Sequence, residues 1–183
     1  MFALGIDPGL SRCGYGLVGR GEDGSLRPRA AGVLETDPAA ALAERLLVLH
    51  GELGALLREL RPDVVVVERV FFQVNVRTAM SVGQASGLAL AEAAAAGCEV
   101  AQYTPNEVKQ ALVGYGGATK EQVQRMVEQV LLMEPLEGPP DVFDALALAV
   151  CHLTTVPFQR AVSAALRAAA ERPARLSVVR SER

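Results

Sequence analysis

Residues 63–72 read DVVVVERVFF, and this short stretch decides the fold. Four consecutive valines are typical of a strand that is buried on both faces of a parallel sheet. A carboxylate, Glu68, closes the strand, and Arg69 and the rings of Phe71 and Phe72 follow it. Burying a charge is costly. A charged residue at the end of a core strand therefore indicates that this residue has a function other than packing.

The patterns on either side of this stretch predict an α/β protein with a mixed sheet. Residues 2–7, 15–20, 29–36 and 99–103 are predicted strands, and the second and third form a hairpin around a polar turn at 21–28. Helices are predicted over 42–60 and 77–96, and capping boxes at 104–107 and 119–122 begin two more. A last helix begins near residue 139 and is apolar almost all round. We therefore expect five strands flanked by helices on both faces.

Length and composition predict one domain over residues 1–153 and a basic tail over 154–183, helical at first and then disordered. No apolar stretch reaches the length of a spanning helix, so we expect a soluble, cytoplasmic protein with no membrane partner. The net charge of −3 argues against a general nucleic-acid binder, but six arginines lie beyond Val156. An acidic body still permits phosphate binding if its cations share one face.

The cysteines and histidines are too scattered for a disulfide framework or a zinc site. Three cysteines lie far apart in apolar surroundings, which predicts reduced core thiols: Cys13, Cys98 and Cys151. His50 and His152 are isolated, and each is interpreted as a surface or packing residue.

Four carboxylates lie where the pattern predicts burial or its edge. Asp7 closes the first strand, Glu68 closes the fourth, and Asp141 and Asp144 share one face of the last helix. Singly they could be a turn residue, a strand-end charge and a helix cap. Together they would repel one another unless a cation neutralises them, and oxygen ligands without His or Cys favour Mg²⁺ or Mn²⁺. The set suits a two-metal phosphodiesterase site.

Several residues near these acids are candidates for contacts with phosphates or bases. Arg69, Asn75 and Arg77 could bind phosphates or could be ordinary exposed charges. Lys120 lies in the first turn of a helix, where it opposes the helix dipole, and phosphate binding would explain that cost. Of the two adjacent rings that follow Glu68, we expect one in the core and one free to stack on an unpaired base.

The helix over 77–96 carries small residues along one face: Ala79, Gly83, Ser86 or Gly87, and Ala91. Such a face permits close packing. It could pack on the core, or it could form a two-fold contact with a second copy of the chain.

Five blocks of this sequence resemble the RuvC family of crossover junction endodeoxyribonucleases. They are GIDPGLSRCGYG (5–16), VVVERVFFQVN (65–75), VGQASG (82–87), VKQALVGYGGATKEQV (108–123) and DVFDALALAVCH (141–152). The blocks follow one another in the family's order and at its spacing. Five independent blocks make this resemblance specific, whereas GIDPG alone would be weak.

The resemblance implies an RNase H-like fold, a homodimer, two Mg²⁺ ions per site for which Mn²⁺ can substitute, and cleavage of two opposed strands of a four-way DNA junction. It also implies cooperation with the RuvAB branch-migration complex. The family's catalytic acids fall on Asp7, Glu68, Asp141 and Asp144, its junction-contacting aromatic on Phe71, and its functional lysines on Lys109 and Lys120. Phe72 departs from the pattern and leaves open which ring contacts DNA.

Two other functions share parts of this pattern. ATP-binding proteins of the actin and Hsp70 type also begin with a strand, an acid and a glycine turn, but they need two such lobes. A catalytically silent DNA-binding module of the same fold is the third reading, and the four intact acids argue against it.

Overall fold

The computed structural model describes the backbone of residues 1–69, 76–134 and 138–170, and the side chains of 1–69, 79–134 and 138–156. Within these ranges the strands are β1 Phe2–Asp7, β2 Arg12–Arg20, β3 Leu26–Glu35, β4 Val64–Glu68 and β5 Glu99–Tyr103. The helices are α1 Leu42–Leu60, α2 Val76–Ala95, α3 Pro105–Val113, α4 Lys120–Leu131 and α5 Pro140–Ala170. No helix of the described residues is long and apolar enough to cross a membrane.

The strands form one mixed sheet in the order β3-β2-β1-β4-β5. β1 pairs antiparallel with β2 and parallel with β4, and β4 pairs parallel with β5. The predicted mixed five-stranded sheet is therefore confirmed. Because β1 and β4 are parallel neighbours, with Ile6 opposite Val67, their carboxyl ends reach the same edge of the sheet.

The hairpin strands are longer than the sequence predicts. β2 begins at Arg12 instead of residue 15, and β3 begins at Leu26 instead of residue 29, since Arg12 pairs with Glu35 and Arg20 with Leu26. Pro28 suggested a turn, but β3 is an edge strand, where a residue without an N–H is tolerated. The turn is consequently short, and Gly24 supplies its positive φ of 82°.

Helices cover both faces of the sheet, as predicted. Leu4 and Ile6 of β1 pack with α1 and α2 on one face, whereas Ala3 packs with α3, α4 and α5 on the other. Side chains alternate along a strand, so Asp7 and Glu68 have the parity of Ala3 and Val66 and lie on the α5 side. The fold thus delivers both strand-end acids to one face.

The α1 helix buries a narrower stripe than its sequence suggests. Leu49, Leu53 and Leu57 are buried at helical spacing, but Leu42 is 48% exposed and Leu47 is 68% exposed. These two residues project away from the stripe that meets the sheet.

The three cysteines and the two histidines lie among packing or surface residues. Cys13 and Cys151 are buried, Cys98 is half-buried, and all three are free. The buried His152 shares a hydrogen bond of 3.1 Å between its Nδ1 and the hydroxyl of Tyr103. His50 lies 2.9 Å from Glu92 on the surface.

The close approach of α5 to the sheet depends on glycine. A Cβ at Gly5 would overlap the carbonyl oxygen of Ala145, and one at Gly14 would overlap the carbonyl oxygen of Asp141. The α5 backbone therefore lies directly on β1 and β2, closer than any larger residue would allow. This contact brings the start of α5, with Asp141 in its first turn and Asp144 directly after it, over the edge where β1 ends.

We expect Gly5→Ala to destabilise the protein by about 1–3 kcal/mol or more, because the added methyl group meets α5 backbone and α5 must move. Gly51→Ala is the matched control, since nothing lies within 4 Å of a Cβ at that exposed position in α1. The control should be neutral or stabilising by about 0.4–1 kcal/mol. Urea unfolding measures both, and equal stability of the two variants would contradict the glycine-mediated contact.

The α5 helix continues past the predicted domain boundary after residue 153. Pro157 has no N–H to donate to the carbonyl of Leu153, the normal partner four residues earlier. The guanidinium of Arg20 donates to that carbonyl instead. Helix α5 extends to Ala170, and the division into domain and tail stays a prediction.

Candidate active site

Residues far apart in sequence line one pocket of about 380 Å³ at the carboxyl ends of β1 and β4. Strands β1 and β4 and helices α3, α4 and α5 all contribute to its wall. The lining includes the four predicted acids and both predicted lysines: Asp7, Glu68, Asp141, Asp144, Lys109 and Lys120. The structure thus brings together the four predicted acids and the two predicted lysines, whereas Arg69, whose side chain is also described, does not line the pocket.

The surroundings of the pocket raise the pKa of two of its carboxylates. Burial raises the pKa of Asp7 to about 7, with further increases from the nearby charges of Glu68, Asp144 and Asp141, while Lys120 opposes the shift. Burial and the charge of Asp144 also raise the pKa of Glu68. Carboxylates are thus crowded here beyond what the neighbouring cations neutralise, which is typical of a functional site.

Two cations pair with the acids of α5. The Nζ of Lys120 lies 2.7 Å from Oδ2 of Asp144, and this hydrogen bond is the main cause of the raised pKa of Lys120. Nη2 of Arg12 lies 3.0 Å from Oδ2 of Asp141. The unfavourable position of Lys120 at the start of α4 therefore has a local explanation in the pocket itself.

Arg12 is a site residue that the sequence did not reveal, because the second predicted strand began only at residue 15. Its usable signal was strand parity. Arg12 belongs to β2 and lies on the same face of that strand as Gly14 and Gly16, the face that meets α5. An arginine on that face, next to the predicted acids, would have been a candidate had the strand been extended by three residues.

The donor set fits a hard divalent cation, although the side chains are not arranged as a ready cluster. No three His, Cys, Asp or Glu side chains among the described residues stand close enough to hold one ion. Asp141 and Asp144 are turned to Arg12 and Lys120, so they would have to exchange these partners for a metal. Oxygen-only ligands, two of which have a pKa raised by burial and by neighbouring acids, favour a hard divalent cation.

The turn after Asp7 is held by a network of hydrogen bonds. Arg45 donates from Nε to Oγ1 of Thr36 at 3.0 Å and from Nη2 to Oγ of Ser11 at 2.6 Å. The hydroxyl of Thr36 donates to the carbonyl of Leu10 at 2.6 Å. This network ties the turn to α1 and β3 and so fixes the backbone that follows the acid.

The other predicted DNA contacts have different outcomes. Arg69 lies at the end of β4 with an exposed side chain, and its N–H donates to the carbonyl of Tyr103 at 2.8 Å. Phe71, Phe72 and Asn75 lie outside the described residues, as does the side chain of Arg77. The assignments of these four side chains stay predictions.

The small residues of α2 divide between two faces. Ser86 is buried together with Ala85, Ala89 and Ala93 against the sheet. Gly83, Gly87 and Ala91 are exposed, and nothing lies within 4 Å of a Cβ at either glycine. Core packing is therefore the right interpretation for Ser86 and the wrong one for the exposed three.

Comparison with known proteins gives one consistent result. The family model described as "Crossover junction endodeoxyribonuclease RuvC" matches residues 3–152. A protein of that name from Syntrophomonas wolfei is 48% identical over 153 residues, which are 84% of this chain and 88% of the relative. The structure of Thermus thermophilus RuvC is 36% identical with a TM-score of 0.80, and the match covers 87% of this chain and 97% of that one.

A second T. thermophilus structure shows RuvC in complex with a Holliday junction substrate. It is 34% identical, with a TM-score of 0.78, and the match covers 86% of this chain and 96% of that one. The RNase H-like fold implied by the sequence resemblance is confirmed by these neighbours.

Proposed function

Because this chain belongs to the RuvC family of crossover junction endodeoxyribonucleases, we propose that it resolves four-way DNA junctions in recombination and repair. It cuts two opposed strands by Mg²⁺-dependent hydrolysis of a phosphodiester in each. The observation that carries this proposal is the convergence of four acids from β1, β4 and α5 on one pocket. The actin-type alternative needs a second lobe, whereas the strands of the described residues form a single sheet.

The proposed catalytic groups are Asp7, Glu68, Asp141 and Asp144, whose carboxylates would hold two Mg²⁺ ions, with Mn²⁺ able to substitute. When bound, such a pair activates water and stabilises the leaving oxygen. The chain itself supplies acids held at fixed positions by strand ends and by a helix pressed on the sheet. That rigidity keeps the ligands in place without rearrangement of the backbone during the reaction.

Cations around the pocket are suited to orient the DNA strand. Lys109 and Lys120 line the pocket from α3 and α4, and Arg69 is exposed at the end of β4. We assign the two lysines to the phosphate next to the cut and Arg69, Asn75 and Arg77 to neighbouring phosphates. Such contacts set the register of the strand but do not read its sequence.

Junction selectivity is assigned to the segment after β4. Phe71 is three residues beyond Glu68, close enough to act on the same crossover but too far to join the chemistry. A ring inserted at the branch point stacks on a freed base and offsets part of the unstacking cost.

We expect Phe71→Ala to lower junction cleavage by roughly tenfold or more without unfolding the protein, because base–aromatic stacking contributes about 1–3 kcal/mol. Phe72→Ala should instead destabilise by roughly 3–5 kcal/mol, the range for emptying a core aromatic. Thermal melts and cleavage rates of both variants decide the assignment. If Phe71→Ala melts at a lower temperature and Phe72→Ala cuts poorly, the roles assigned to the two rings are exchanged.

A homodimer is proposed because two opposed strands need two active sites. The exposed small residues of α2 offer a surface where backbones can approach closely, next to Met80, which is 59% exposed. In the cell, such a dimer would act in the cytoplasm together with the RuvAB complex.

Gly87→Glu should convert the dimer to a monomer and leave the subunit folded, because the new side chain enters open space in the single chain but crowds a two-fold contact. Light scattering should report about 19.3 kDa for the variant and twice that mass for the wild type. Gln129→Glu, exposed on α4, is the charge-matched control and should stay dimeric. An unchanged mass for Gly87→Glu would place the contact elsewhere.

The proposed function is tested with a synthetic four-way junction and a linear duplex of the same sequence. The chain should cut the junction in Mg²⁺, leave it intact in EDTA, and leave the duplex largely intact in both. Tight junction binding without cleavage in any divalent cation would favour the silent DNA-binding module instead.

A further inference from the structure

We infer that Arg12 is a built-in counter-cation of the active site: it pairs with Asp141 in the metal-free protein, must release it for a divalent cation, and thereby weakens cation binding. This inference rests on the proposed function, since it concerns the metal-dependent site of that function. It assigns a role to a residue that does not line the pocket and that acts on it only through Asp141. Arg12 is therefore a positioning residue.

The pairing follows from the way β2 and α5 meet. Gly14 has no Cβ, so the backbone of Asp141 can lie against β2. Arg12 is two residues earlier on the same face of that strand, which places its guanidinium 3.0 Å from the Asp141 carboxylate. The contact is thus fixed from both sides by the glycine-mediated packing of α5.

The ion pair between Arg12 and Asp141 is exposed enough for a divalent cation to take the place of Arg12. The side chain of Arg12 is 45% exposed and that of Asp141 is 26% exposed. An ion pair this open to water is weak, so a divalent cation among four carboxylates can displace it. A fully buried pair would resist such an exchange because separation would leave an uncompensated buried charge.

The two acids of α5 pair with cations from two different elements. Lys120 reaches Asp144 from α4 and lines the pocket, where it is also positioned for a phosphate. Arg12 reaches Asp141 from β2 at the rim. Its removal should therefore change the charge balance of the ligand set while leaving the proposed phosphate contacts of the pocket in place.

The removal of Arg12 makes the acidic cluster one charge more negative and frees a ligand. Arg12→Gln should therefore bind Mn²⁺ more tightly, with a Kd roughly three- to tenfold lower than that of the wild type. Arg12→Lys keeps the charge and should remain close to the wild type. Calorimetry with Mn²⁺ and the DNA-free, full-length protein measures these constants, and no cleavage assay is involved.

Four further proteins make the result specific: Arg27→Gln, Asp7→Asn, Asp141→Asn, and the double variant of Asp141→Asn with Arg12→Gln. Arg27→Gln removes one positive charge from an exposed position of β3 and should leave the Kd unchanged. In the Asp141→Asn background, Arg12→Gln should no longer tighten Mn²⁺ binding, because the acid that mediates the effect is gone. Asp7→Asn identifies the Mn²⁺ that binds in the pocket, since this ion should be lost.

Unchanged or weaker Mn²⁺ binding by Arg12→Gln overturns the inference, and so does an equal tightening by Arg27→Gln. If the wild type nevertheless cuts junctions, only the role of Arg12 fails and the proposed function stands. If the wild type binds no Mn²⁺, or binds only Mn²⁺ that Asp7→Asn also binds, both the inference and the proposed metal site fail.

Discussion

Asp7→Asn, Glu68→Gln and Asp144→Asn should each lower junction cleavage by roughly a thousandfold or more while leaving junction binding within a few-fold of the wild type. These substitutions remove a charged ligand from the pocket and keep the shape of the side chain. The cations assigned to the phosphates are untouched, so the DNA should still bind. Cleavage rates under single-turnover conditions and gel-shift titrations in Ca²⁺ measure the two effects separately.

Asp141→Asn should be the mildest of the four substitutions. Asp141 lies in the first turn of α5 and is partly exposed, so water or a neighbouring ligand can replace it. Glu22→Gln, in the exposed turn between β2 and β3, is the matched control and should cut at the wild-type rate. Near-normal cleavage by any two of the Asp7, Glu68 and Asp144 variants would contradict the assignment of the site.

Without divalent cations, Asp7→Asn should be more stable than the wild type at neutral pH, by about 2–4 kcal/mol. The folded protein raises the pKa of Asp7 from its ordinary value of 3.8 to about 7, chiefly by burial. Between these values the folded state holds a proton that the unfolded state has lost. Stability contributed by the protonated acid is therefore present below about pH 4 and is lost as the pH rises to about 7.

Asparagine stays neutral throughout, so the variant escapes this loss. In EDTA the two proteins should melt together near pH 4 and diverge with rising pH, with Asp7→Asn melting about 5–10 °C higher at pH 7.5. Mg²⁺ should then stabilise the wild type and not the variant. Glu22→Gln should follow the wild type at every pH. If Asp7→Asn melts below the wild type at pH 7.5 in EDTA, burial and neighbouring charges do not disfavour the ionised form of Asp7.

Local patterns in the sequence were enough to predict most of the fold and the four acids. The valine run of β4 predicted a buried strand of a parallel sheet, and an acid was predicted at the end of this strand and of β1. The capping boxes at Thr104 and Thr119 predicted helix starts, and both are observed. These features depend on residues close together in sequence, which is why they could be read directly.

The features that were missed depend on contacts between distant segments. The close approach of α5 is made at Gly5 and Gly14, and a glycine in a strand does not show which element approaches it. The pairing of Arg12 with Asp141 needed that approach and the true start of β2. The exposure of Gly87 needed the rotation of α2 about its axis, which is set by packing on the sheet.

If the pocket built from these four acids resolves four-way junctions, it must cut two opposed strands at paired positions. Mapping the cuts in Mg²⁺ on a mobile-core junction, labelled in turn on each of its four strands, shows whether it does. We expect paired cuts at symmetric positions in two opposed strands for the wild type, and none for Asp7→Asn. Cuts spread over all four strands or equal cutting of linear duplex, or paired cuts that survive in Asp7→Asn, would contradict this expectation.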